Sequence, residues 1–260
     1  MMRTRYFIAA IAVMMTACKI YDGGERQPES TGEIIAQTVY RDFDEKCSLI
    51  NNIMLLDAYI NETDDAEREK IAERMTNVDA IIADEERENV YILRDYSSYD
   101  NSPSDYFRDI IVDTKGTNIS NADSEWHIIN EGKLNHLPME MTIKNGDNGF
   151  VVDFTEKNSK EEDAEVINEA ELTITTDGTI NGTIYQSDVR IYFNTEVKDV
   201  RYVEGEGLTS GALAIKCHDS YYNTDDEVRA ELFIKDGHQM ATVYFLDYVT
   251  ELRLTREYYY

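Results

Sequence analysis

Apolar residues recur along the chain with two different periods, and the change from one to the other divides it. Ile35, Val39, Phe43, Cys47, Ile50 and Met54 are three or four residues apart and so share one face of a helix. Ser30 and Glu33 stand just before this run in a capping-box arrangement, which predicts one long amphipathic helix over Glu33–Ile60. Asp64 is placed to cap a second helix, with acids in its first turn and Arg68, Lys70 and Arg74 later. Its apolar face, Ile71, Met75, Val78 and Ile82, carries that helix to about Arg87 with a break near Asn77. From Val90-Tyr91-Ile92-Leu93 onward the period shortens to two, the period of strands, with short strands at Phe107–Val112 and Trp126–Ile129 around a loop at Tyr96–Tyr106.

Where a strand alternates, the apolar set also fixes its register, because a slip of one residue turns every side chain to the other face. A four-residue loop, Asn145-Gly146-Asp147-Asn148, sets Ile143 against Phe150, Met141 against Val152 and Met139 against Phe154. At Asp177-Gly178, a three-residue loop with Gly178 left-handed pairs Ile174 with Ile180, Leu172 with Gly182 and Ala170 with Ile184. At Asp236-Gly237 a tight type I′ turn pairs Leu232 with Ala241, Ala230 with Val243 and Val228 with Phe245. Between these lie Val189-Ile191-Phe193, Val197–Val203, a turn at Glu204–Gly207, and Leu213-Ile215-Cys217, which face one side. The expected fold class is α+β: N-terminal amphipathic helices followed by an antiparallel β meander, curled as a barrel or folded as a sandwich, with the helices over an open face or end. The expected segments are 1–17, 18–29, 30–88 helical and 89–260 β-rich, the last two forming one domain.

The first two segments have a different character. Arg3 and Arg5 precede the apolar run Tyr6–Met15 and the small pair Thr16-Ala17, which is the layout of a secretory signal peptide. The run is shorter than the ~20 apolar residues that a membrane-spanning helix needs. Met15-Thr16-Ala17-Cys18 resembles the lipobox of bacterial lipoproteins, with Met15 where leucine is usual. The resemblance implies cleavage before Cys18, a diacylglyceryl group on its thiol and a further acyl chain, enough for stable anchoring. It implies an exported protein held on a bacterial membrane, the outer membrane in preference, facing the periplasm or the cell surface. Lys19–Glu29, polar and bearing Gly23-Gly24 and Pro28, is then a tether.

Charge narrows the partners. Fifty-two acidic against 25 basic residues give a net charge of −27, which repels nucleic acid and anionic lipid headgroups. Once Cys18 is lipidated, Cys47 and Cys217 remain as a candidate disulfide. A bridge closing so long a loop contributes on the order of 5 kcal/mol in the chain-entropy model; the alternative is a pair of buried free thiols.

Motifs for catalysis are lacking: no GxSxG, HExxH, CxxC, Walker loop or EF-hand pattern occurs. Gly205–Gly211 has the wrong spacing for a phosphate loop, and it carries Glu206. His127, His136, His218 and His238 form no ligand pair on one element, so no metal, cofactor or catalytic residue is expected. Cys217 and His218 are adjacent on a strand and so point to opposite faces, unsuited to a nucleophile–base pair. Carboxylate groups such as Glu161-Glu162-Asp163 and Asp225-Asp226-Glu227 are the residue type that glycosidic cleavage or calcium binding uses, but close pairs are expected by chance in so acidic a chain, as solvated loops. Tyrosine stands out, with 18 copies; Tyr221 and Tyr222, beside Asp225–Glu227, are the candidate ligand contacts, their phenol rings suited to a glycan or protein partner. The expected protein is a non-enzymatic envelope lipoprotein that binds a ligand or partner or serves a surface assembly. The alternative is an extracytoplasmic hydrolase of envelope or extracellular glycan, which needs two converging carboxylates, one with a raised pKa.

Overall fold

The computed structural model describes residues 30–95, 108–131, 137–188 and 190–255. The expected signal peptide, Cys18 and the expected tether lie outside them, as do the expected loop at Tyr96–Tyr106, His136, Val189 and the terminal tyrosines.

Helix α1 spans Thr31–Asn61, and both halves of its capping box form: the Ser30 hydroxyl accepts from the Glu33 amide while the Glu33 carboxylate accepts from the Ser30 amide. Helix α2 spans Asp65–Glu73, and the Asp64 carboxylate accepts from the amides of Ala66 and Glu67. It ends well short of Arg87, which corrects the expected helical boundary. Asn77 takes a left-handed φ of 55°, and Ala80–Ala83 is strand β1. Val78 and Ile82 fit a helical spacing, but the adjacent pair Ile81-Ile82 fits a strand equally well. Pairing with the next strand decides between them.

The remaining strands are β2 Val90–Asp95, β3 Arg108–Asp113, β4 Glu125–Asn130, β5 Met139–Gly146, β6 Gly149–Lys157 and β7 Val166–Thr175. They continue as β8 Thr179–Asp188, β9 Ile191–Val203, β10 Gly207–Asp219, β11 Thr224–Lys235, β12 His238–Phe245 and β13 Tyr248–Arg253. All thirteen form one antiparallel sheet whose spatial order is the order of the sequence. The sheet is not closed: β1 and β13 are its two edges.

The registers at Gly178 and at Asp236-Gly237 are those the apolar pattern predicts, with Ile174 opposite Ile180 and Leu232 opposite Ala241. Gly178 has φ +81°, and Asp236 and Gly237 have φ 54° and 76°, as a type I′ turn requires. The first hairpin differs. Ile143 opposes Val152 and Met141 opposes Phe154, around a tight turn at Asp147-Asn148. The expected and observed registers differ by two residues, so both put the same side chains on the core face. The pattern therefore cannot separate them, and the shorter turn wins by extending the ladder to Gly146 and Gly149. Ile191–Val203 is one strand where two were expected, and it is bulged against its neighbours between Ile180 and Gly182 and between Leu208 and Ala212. Such bulges bend long strands and increase their twist.

The core is a single cluster between α1 and one face of the sheet. Val39, Tyr40, Phe43, Ile53 and Leu56 of α1 are fully buried, as are Val112, Ile128, Ile143 and Leu213 of the sheet. Polar side chains of α1 also reach the sheet on different sides. Asp42 accepts from the Asn168 amide on β7, and Asp44, about 200° away around the helix, accepts from the Leu208 amide on β10. Gln37 donates to the Thr255 carbonyl beyond β13, and Asp57 accepts from the Ile119 amide between β3 and β4. The sheet thus wraps the helix on more than one side, beyond the single face expected of an amphipathic stripe. Among the described residues, no helix is long and apolar enough to cross a membrane.

Candidate functional site

On the face of the sheet turned away from α1, strands β7 to β12 bend into a trough of about 840 Å³. Strand alternation populates it. Glu171, Thr183, Glu196, Ala214, Arg229 and Tyr244 lie side by side across β7, β8, β9, β10, β11 and β12, and Glu169, Tyr185, Asn194, Lys216 and Glu227 form the adjacent row. Carboxylates outnumber cations there, with Lys216 and Arg229 among them.

Beside Tyr185, the adjoining row of the same face, outside the trough lining, carries Tyr192 and His218. The rings of Tyr185 and Tyr192 are 6.4 Å apart and 23° from parallel, and Tyr192 lies 6.2 Å from the His218 ring. His218 Nδ1 is 2.9 Å from Asp225 Oδ1, which orients the imidazole. Across the trough the Arg229 guanidinium lies 5.7 Å from the Tyr244 ring, and the Tyr244 hydroxyl donates to Glu231. That bond holds the Tyr244 pKa above the usual phenol range. The arrangement offers half-exposed ring faces for stacking and carboxylates that accept from hydroxyl or ammonium groups.

Tyr221 and Tyr222 sit on the turn between β10 and β11 and are 71% and 37% exposed. Their rings meet edge to face at 4.8 Å, and the Arg190 guanidinium lies 5.6 Å from the Tyr221 ring. They do not line the trough. Fully buried Asp219 shapes this turn, its Oδ1 accepting from the amides of Tyr221 and Tyr222 at 2.9 and 3.1 Å. Tyr185, Tyr192 and Tyr244 lie on strands rather than among the loop tyrosines, and Asp219 carries no signal in the sequence. The signal of the three tyrosines was present nonetheless, at the polar positions of alternating strands, where a ring points to water.

Cys47 and Cys217 are both buried with free thiols, so the candidate disulfide does not form. Burial pushes the Cys47 thiol well above its usual range, helped by Asp44; it pushes Cys217 up to about 12, helped by Asp226. Neither is suited to act as a nucleophile. Burial also raises the Asp226 carboxyl, with Asp225 adding to the effect. Asp226 borders the trough, but its register partner is the core-facing Cys217, whereas Asp225 and Glu227 take the outward positions. Asp226 and its neighbours on β11 therefore alternate between the two faces. No group of three or more His, Cys, Asp or Glu able to hold a metal ion occurs among the described residues.

Fold and site together define a helix filling an open antiparallel meander, with an acidic, tyrosine-lined trough on the outer face. No family model matches the chain, and no curated protein and no solved structure shows a significant likeness to it.

Proposed function

We propose that this chain is an exported, lipid-anchored binding protein of the bacterial envelope, without catalytic activity, and that it captures a glycan in the trough between β7 and β12. The observation that carries the proposal is the pair Tyr185 and Tyr244, half-buried in the trough beside Glu169, Glu171 and Glu196, with the rings of Tyr192 and His218 in the adjoining row. Phenol rings on an open sheet face stack on the apolar faces of sugar rings, and carboxylates accept from their hydroxyls. Aromatic side chains held by the core would be enclosed; these are half-buried on the polar face. A hydrolase requires a raised carboxyl and an ionised one facing a common substrate, and Asp226 and Glu227 take opposite faces. The anchor supplies location: Cys18, lipidated, keeps the trough near the envelope surface.

Two measurements test this. Binding of the mature protein to immobilised envelope polysaccharide falls at least tenfold in Tyr185→Ala/Tyr192→Ala, with folding checked by circular dichroism; undiminished binding removes the trough from the proposal. Cys18→Ser moves the protein from the membrane to the soluble fraction, and unchanged fractionation removes the anchor.

A further inference from the structure

Helix α1 starts at one end of the sheet and runs away from it. A Cβ added to Gly32 in its first turn would lie 2.4 Å from Phe245, the last residue of β12, whereas Tyr40 donates to Gln239 near the start of that strand. The chain before Ser30 therefore joins the fold beside Leu246-Asp247, the turn between β12 and β13. The turn between β10 and β11 lies at the same end, because Val228 near the start of β11 pairs with Phe245.

Exposed apolar and aromatic side chains concentrate at these two turns. Tyr221, Leu246, Tyr248 and Val249 are 71, 66, 69 and 62% exposed, and no other large apolar side chain among the described residues exceeds 42%. Leu246 is costly in a second way. It takes a φ of 53°, and the other seven non-glycine residues with positive φ among those described are Asn, Asp and Lys. A branched apolar side chain is disfavoured in that conformation, and water disfavours its exposure; an apolar contact removes the second penalty.

The lipid on Cys18 supplies such a contact. Residues 18–29 span at most about 40 Å when fully extended, so the acyl chains hold this end of the sheet near the bilayer. The 13 residues of β10 carry the opposite end roughly 40 Å farther along the strands. Tyrosine rings favour the boundary between headgroups and acyl chains, and leucine and valine the apolar side of it. Asp247 stands in the turn, and Asp225 and Glu227 face outward on β11, so anionic headgroups are repelled. We propose that this end of the sheet is a membrane-seating surface: Leu246, Tyr248 and Val249, with Tyr221 and Tyr222 beside them, enter the interface of a zwitterionic bilayer. Thr224–Glu227 continue past the end of β12, so a plane touching both turns meets the strands obliquely. Leu246 also lines the trough, which puts one end of the trough at the headgroups. The seating rests on the Cys18 anchor of the proposed function and not on glycan capture.

The test uses the mature protein, purified with its lipid and reconstituted in phosphatidylcholine–phosphatidylethanolamine vesicles, carrying an environment-sensitive fluorophore at Val249→Cys. Cys47 and Cys217 are buried, so labelling in the native state is confined to the introduced thiol. Flotation with the vesicles reports the anchor, and quenching by nitroxide-labelled lipid reports the seating. The expected result is flotation, with quenching at least threefold stronger than for a fluorophore at Asp147→Cys, on a turn at the opposite end of the sheet. Adding Leu246→Asn/Tyr248→Ser to Val249→Cys lowers the quenching at least twofold; asparagine suits a left-handed residue and Tyr248 is exposed, so the fold is kept. Replacing half of the lipid by phosphatidylglycerol lowers it too. Flotation with equal quenching at the two positions overturns the seating and leaves the anchor standing. Quenching that persists in the multiple variant, or rises with phosphatidylglycerol, also overturns it. A chain that does not float overturns the anchor and the seating together.

Discussion

Gly182 opposes Leu172 on β7 at the point where β8 is bulged against β9, and its φ is +151°. A Cβ built there would lie 2.0 Å from the Glu171 carbonyl oxygen, so backbone must move before any side chain fits. Gly178 is left-handed too, but a Cβ there meets nothing within 4 Å. The two glycines thus separate conformational strain from collision. Gly178→Val is expected to cost about 1–2 kcal/mol, the strain of a left-handed β-branched residue. Gly182→Ala, despite its smaller side chain, is expected to cost about 3 kcal/mol, strain and overpacking together. Urea denaturation midpoints in that order support the bulge; the reverse order refutes it. The cysteines give a second test at this scale. In a Cys18→Ser chain, Cys47 and Cys217 are buried free thiols, so neither reacts with iodoacetamide at pH 8 in the native state. Both react once the chain is denatured without reductant. A bridge would leave none to react.

At the scale of elements, the turn between β10 and β11 depends on one carboxylate. Asp219 gathers two amides, and hydrogen bonds to a carboxylate contribute about 1.5–3 kcal/mol each, net of the water bonds they replace. Asp219→Ala is expected to lower stability by about 2 kcal/mol and to release Tyr221 and Tyr222, seen as faster amide hydrogen exchange in 220–223. Exchange unchanged there would mean the turn holds its shape without Asp219. Hairpin registers show how far element-level reasoning reaches. Those at Gly178 and at Asp236-Gly237 follow from the apolar alternation, because the competing turn length in each case would shift it by one and bury the polar set. The hairpin at Asp147-Asn148 does not follow, because its alternatives differ by two. Strand β1 was missed for a related reason: four residues, Ala-Ile-Ile-Ala, satisfy either period until a neighbouring strand offers hydrogen bonds.

For the whole molecule the dominant long-range term is a net charge of −27. The compact state draws these charges together, and self-repulsion opposes folding. Salt reduces the repulsion as the Debye length falls from roughly 20 Å at low ionic strength to about 4 Å near 0.5 M. The thermal midpoint is therefore expected to rise with sodium chloride by several degrees, at about 2–4 °C per kcal/mol for a chain of this size. A midpoint that stays level or falls would show that local ion pairs such as Arg74–Glu204 and Arg94–Asp109 outweigh the repulsion. An open sheet also has edges to protect. β1 is only four residues long, and β13 carries Glu251 and Arg253 along its length.

The sequence by itself determined the two helix starts, the antiparallel meander and the two hairpins whose alternatives differ by one residue. Caps, turns and strand alternation are local and act over a few neighbours. Only the tertiary structure decided that the sheet stays open, that it encloses α1 on more than one side, and that Cys47 and Cys217 are buried as free thiols. It likewise assembled the trough from rows crossing six strands, and brought Asn168 to Asp42 across 126 positions of sequence. These features depend on curvature accumulated over thirteen strands and on contacts between distant segments, which no periodicity within a single strand encodes.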